Sequence, residues 1–126
     1  MPVEHIRLSN QAKEKLIRLK RTTGIEQWNI LCRWAFCLSL SVENTPPDED
    51  IPADSNVEMS WKVFGGRYQE LYWALLKERC TRDGLGTDEL TLGKQFRLRL
   101  NRGISYLFGK KDVLDISDYI VVNLTI

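Results

Sequence analysis

Five cations, Lys13, Lys15, Arg18, Lys20 and Arg21, fall close together near the amino terminus, with Glu14 the one acid among them. Lysine and arginine at this density can neutralise several phosphates of a nucleic-acid backbone. On duplex DNA, log K then falls by about 0.9 per log unit of salt for each phosphate neutralised. The same residues would equally suit a solvated helix face, and charge alone leaves both readings open.

A second concentration of charge is acidic: Asp48-Glu49-Asp50, followed by Asp54. Carboxylates are the ligands that hard divalent cations prefer, so a metal-dependent DNA nickase is one chemistry such residues could support. Their spacing matches no EF-hand, and Pro46, Pro47 and Pro52 punctuate the run, which favours a solvated loop. No metal site and no cofactor is expected. His5 is the single histidine, which closes off zinc sites of Cys/His type and most nucleophile-plus-base designs. Cys32, Cys37 and Cys80 lack any Cys-x-x-Cys spacing and read as buried thiols. Gly65-Gly66 lacks the Gly-Lys-Ser/Thr ending of a Walker loop, so nucleotide hydrolysis is not expected. Trp28, Trp34, Trp61, Tyr68, Tyr72 and Trp73 could stack on unpaired bases, but most lie on apolar faces and read better as core or subunit interface. That much large apolar surface in a small chain predicts self-association.

The frame for these groups is a 126-residue chain, 43% apolar and 28% charged, of the composition of one soluble globular domain. No apolar run approaches the roughly 20 residues of a membrane span, and the first residues carry no export signal, so a cytoplasmic protein is expected. The formal charge of +1 hides strong segregation. Residues 1–42 and 59–111 are basic, whereas 43–58 hold six acids and no base and 112–126 hold three aspartates and no base. Such local fields govern association with polyanions more than the total does.

The alternation through Val3, His5 and Arg7 against Ile6 and Leu8 predicts a short strand. Ser9 then suits an N-cap, and Ala12, Leu16 and Leu19 fall within about 60° of one another on a helical wheel, leaving the five cations on the remaining circumference. Gly24 suits the left-handed cap that stops this helix. A second helix over about 26–41 is apolar nearly all round, with Trp28, Leu31, Trp34, Ala35 and Leu38 on its main face; Arg33 needs a partner or an exit to water. Residues 43–58 form the acidic loop. Met59, Trp61 and Val63 alternate as a second strand, and Tyr68, Leu71, Tyr72, Leu75, Leu76 and Arg79 trace a third helix stopped by Gly84. Thr87 and Asp88 cap a fourth, with Leu92, Phe96, Leu100, Gly103 and Leu107 buried and Lys94, Arg97 and Asn101 outward. The tail, 110–126, reads ambiguously as helix or strand. The resulting fold class is mainly α: a small helical domain with a short N-terminal strand.

The order of strand, helix, Thr22-Thr23-Gly24 turn and apolar helix resembles the ribbon-helix-helix plan over residues 3–41, in which two chains pair their strands and insert the polar strand face into the major groove. Val3, His5 and Arg7 would form that face, giving a transcription factor as a rival function. Glu26 departs from the plan, since its charge competes with a phosphate for the helix dipole.

The strings Ile6-Arg7-Leu8-Ser9, Leu19-Lys20-Arg21-Thr22-Thr23-Gly24-Ile25 and Trp28-Asn29-Ile30-Leu31-Cys32-Arg33-Trp34-Ala35 resemble the DndE family of DNA phosphorothioation proteins. The likeness continues through Ile51-Pro52-Ala53-Asp54-Ser55-Asn56, Gly65-Gly66-Arg67-Tyr68-Gln69-Glu70-Leu71-Tyr72-Trp73-Ala74-Leu75-Leu76-Lys77 and Arg102-Gly103-Ile104. The resemblance implies a cytoplasmic, non-catalytic subunit that forms a homo-tetramer and binds double-stranded, nicked DNA. It also implies partners: a cysteine desulfurase, an iron–sulfur protein and an ATPase. On this reading Lys13, Lys15, Arg18, Lys20 and Arg21, with Arg7, are the DNA-binding residues.

Overall fold

The computed structural model describes residues 5–109; the readings made for Val3 and for the tail lie outside them. Strand β1 (His5–Arg7) pairs antiparallel with β2 (Glu58–Ser60), Ile6 opposite Met59. Ile6 and Leu8 are buried while His5 and Arg7 face outward, as the alternation predicts. The strand that a ribbon-helix-helix plan would pair with a second chain is thus paired here within its own. Backbone bonds from Leu8 to Val57 (3.1 Å) and from Ser55 to Leu8 (3.1 Å) extend the pairing and anchor the end of the acidic loop.

Helix α1 (Asn10–Thr23) begins at Ser9, whose hydroxyl accepts from the Ala12 amide at 3.1 Å, and ends at Gly24, whose φ of 76° lies in the left-handed region. Its buried residues are Ala12, Leu16 and Leu19, the narrow stripe expected. Helix α2 (Trp28–Leu40) buries Leu31, Cys32, Ala35, Phe36, Leu38 and Ser39. Its buried face is therefore turned toward Cys32 and Phe36, and Trp28 and Trp34, expected on the main face, are only partly buried. Arg33 finds its partners in the backbone, donating to the carbonyls of Val63 and Phe64.

The alternation over 59–63 does not give a long strand. Ser60 ends β2 and caps the short helix α3 (Trp61–Gly65), its hydroxyl accepting from the Val63 amide at 3.1 Å. A single turn, Gly66–Tyr68, leads into α4 (Gln69–Arg82). Only Tyr72, Leu76, Arg79 and Cys80 of α4 are buried; Tyr68, Leu71 and Leu75, expected on the same face, are exposed. The long helix α5 (Glu89–Phe108) starts at Asp88, which accepts from the Thr91 amide, and buries Leu92, Phe96, Leu100, Gly103 and Leu107 as predicted. At Gly103 a side chain would overlap the carbonyl oxygen of Ala35, so only glycine lets α2 and α5 cross at this distance. Phe36, Phe64 and Phe96 meet around that crossing with centroids 5.0–5.8 Å apart, two of the three pairs edge to face. Trp61 and Tyr72 join this cluster, and Trp73 packs edge-on against Trp61 at 5.9 Å. Those rings belong to the core.

Candidate nucleic-acid interface

The five cations of α1 follow from its narrow buried stripe: with three apolar residues facing inward, the rest of the circumference meets water. Arg18 and Arg21 are exposed, while Lys13, Lys15 and Lys20 lie along the edges of the helix with their stems partly covered. Lys13 donates to the Asn56 side-chain carbonyl at 2.6 Å, and Lys15 donates to the Ser105 hydroxyl at 3.0 Å. The Lys20 ammonium sits 3.4 Å from the centroid of the Trp28 ring, and the Arg18 guanidinium 5.8 Å from that of Phe108. Among the described residues none of the five forms an ion pair with a carboxylate. The partners of Lys13, Lys15, Arg18 and Lys20 are neutral, so their positive charge is held in place without being cancelled. Lys15, Arg18 and Arg21 line one open groove with Ile17, Phe108 and the carboxylate of Glu14.

Arg7 differs. It donates to Glu58 at 2.8 Å across the strand pair and to the Ser55 carbonyl at 3.4 Å, and His5 approaches the same carboxylate at 3.4 Å. The outward strand face is therefore compensated, unlike α1. The acids of the loop are dispersed among separate tasks. Asp54 accepts from the Asn10 amide at 2.8 Å, at the start of α1, and Asp48 accepts from Lys94 at 2.6 Å. Among the described residues no three His, Cys, Asp or Glu side chains assemble into a group that could hold a metal.

Cys32 and Cys80 are buried and Cys37 is partly buried, in surroundings that disfavour a thiolate. Burial pushes Cys32 up to about 12 and Cys37 up to about 11, the latter slightly offset by a hydrogen bond with Tyr72; Cys80 is raised for the same reason.

A set of charges that sequence reasoning missed lies inside. Arg79 and Arg99 are 2% and 0% exposed, and both reach Asp83, at 3.1 and 2.8 Å. Arg79 also donates to the carbonyls of Leu40, Val42 and Glu43; Arg102 donates to Ser39 and to the Asn44 carbonyl. Burial alone would raise the Asp83 carboxyl, but hydrogen bonds from Arg99 and Arg79 outweigh it and hold it below the ordinary carboxylate range. These arginines tie the start of the acidic loop to α4 and α5. The one available sequence signal was Arg79 on the apolar side of its helix.

Fold and surface together define a small, mainly helical protein with a two-stranded N-terminal sheet and, on α1, a cationic flank that forms no ion pair among the described residues. The chain belongs to the DndE family: the family model for DNA sulphur modification protein DndE matches residues 5–115. Among solved structures it is similar to the crystal structure of DndE from Escherichia coli B7A, described as involved in DNA phosphorothioation modification. The identity is 24% and the TM-score 0.71, over 85% of this chain and 98% of that one. A DndE double glycine-to-lysine mutant involved in DNA phosphorothioation matches at 21% identity and a TM-score of 0.65, with the same coverage of 85% and 98%. These likenesses show the fold. No curated protein matches the chain. No helix among the described residues is long and apolar enough to cross a membrane.

Proposed function

We propose that the protein is a non-catalytic, DNA-backbone-binding subunit of a bacterial DNA phosphorothioation system. The observation that carries this reading is the α1 flank: Lys13, Lys15, Arg18 and Lys20 are held by neutral partners, Arg21 is exposed, and none of the five is paired with a carboxylate among the described residues. A cation so placed retains its full attraction for a phosphate. Membership of a DNA sulphur modification family makes duplex DNA the natural polyanion, and the other proteins of such a system the natural partners.

In this reading the chain acts as one cytoplasmic domain and assembles as a homo-tetramer. Val63, Tyr68 and Leu71, each about half exposed (50%, 52% and 53%), with Leu75, supply apolar surface on α3, the turn after it and α4 for subunit contacts. Several copies of the α1 flank would then present a curved basic surface. A strand break lowers the cost of bending the duplex onto it, so a nicked duplex binds more tightly than an intact one without base contacts. Arg7 contributes little, since Glu58 already neutralises it.

Affinities for intact and nicked duplexes of one sequence, measured at two salt concentrations, test this. Tighter binding to the nicked duplex at both is expected; equal affinities would remove the nick preference. Incubation with supercoiled plasmid and Mg²⁺ should leave the plasmid uncut, and cutting abolished by alanine at Asp48, Glu49, Asp50 and Asp54 would make the protein a nickase.

A further inference from the structure

The face of α5 away from its buried stripe carries Lys94, Arg97, Asn101 and Ser105, at steps of three, four and four residues, which aligns them along the helix. The line continues into the α1 flank, because Lys15 reaches Ser105 and the Arg18 guanidinium lies beside Phe108. From Lys94 to Phe108 the helix rises about 21 Å, roughly six base-pair steps of duplex DNA.

The acidic loop sits at the far end of this line. Lys94 donates to Asp48 at 2.6 Å, and the hydrogen bond and charge of Asp48, with a smaller contribution from Asp50, raise the Lys94 ammonium above its ordinary value. Glu49 and Asp50 line one open groove with Lys94 and Arg97, and Ile51 lines a neighbouring crevice with Arg97 and Leu100. Arg79 and Arg102 hold the other end of the loop through the carbonyls of residues 40–44, so its acids are presented from a fixed root. The side chains of Lys94 and Asp48 are 50% and 76% exposed, and an exposed pair of this kind is weak and salt-sensitive. A phosphate backbone can displace it.

We propose that Lys94, Arg97 and Asn101 form a second duplex-DNA-binding surface, continuous with the α1 flank, and that Asp48 and Asp50 occupy it in the free protein in place of phosphates. The proposal rests on the DNA-binding reading above. The loop then acts as an intramolecular competitor: DNA held by α1 engages α5 only after the carboxylates leave.

The test compares the full chain with D48N/D50N and with E70Q/E78Q, which removes two exposed acids from α4 instead. Binding to a nicked duplex across a salt series should be tighter at low salt for D48N/D50N by up to about tenfold, with the log K against log salt slope steeper by up to about 0.9 for the one cation released, Lys94. E70Q/E78Q should leave the slope unchanged. Adding K94A should cost little in the parent and cancel the gain in the D48N/D50N background. A loop variant no better than E70Q/E78Q, or an equal cost of K94A in both backgrounds, overturns the proposal while leaving DNA binding through α1 intact. Absence of DNA binding by both the parent and D48N/D50N overturns both.

Discussion

Two groups of cations in this protein share residue types and differ in everything else. Those of α1 stand at the surface, four of the five against neutral partners, while Arg79 and Arg99 are buried around Asp83 and backbone carbonyls accept from Arg79 and the nearby Arg102. A positive charge on a sequence therefore has no assignable role until its partner is known. A guanidinium buried against its own carboxylate holds the fold together. A cation held by a hydroxyl, an amide or an aromatic ring remains available to an outside anion.

The separation can be broken most forcefully at Asp83. D83A leaves two buried guanidinium groups without their carboxylate and should destabilise the protein by about 3–5 kcal/mol in denaturant unfolding. The folded protein that remains should bind DNA with the parent's salt slope. The same group gives the account a pH signature. The folded Asp83 carboxyl titrates below its unfolded range, so its stabilisation is complete above about pH 4 and is lost as pH falls further through the folded value. Acid unfolding monitored by tryptophan fluorescence should lose that contribution in D83N.

A smaller effect is expected at the edge of α1. K20A removes the ammonium from the Trp28 ring and should cost about 0.5–1 kcal/mol of stability along with part of the DNA affinity. Smaller still is R7Q, which breaks an exposed pair with Glu58 and should change stability by at most about 1 kcal/mol and DNA affinity hardly at all. A large loss of DNA binding in R7Q would return the strand face to the site.

The two regions were unequally legible. The α1 flank was readable because Ser9, the Ala12-Leu16-Leu19 stripe and Gly24 obey local rules that depend on a few neighbouring residues. The same holds for Asp88 and the buried stripe of α5. The internal arginine cluster was not readable, since Arg99 scores as a surface residue and its carboxylate lies sixteen positions earlier, across the Gly84 turn. On α4 the error was one of choosing a stripe. Tyr68, Leu71 and Leu75 have the right spacing for a buried face, but the aromatic cluster around Phe36 selects Tyr72 and Leu76. At residues 59–63 alternation suggested a continuous strand, and a serine able to cap a helix ended it after Ser60. Period-two patterns this short do not outweigh a capping residue.

The central claim is that the α1 cations grip the sugar–phosphate backbone. Its most direct test is a salt titration of DNA binding by the parent and by K13A/K15A/R18A/K20A/R21A, with unfolding measured alongside to confirm a folded variant. The slope should become shallower by about 0.9 for each of the five that reaches a phosphate, with a loss of affinity similar across DNA sequences. A folded variant that retains the parent's affinity and slope would contradict it.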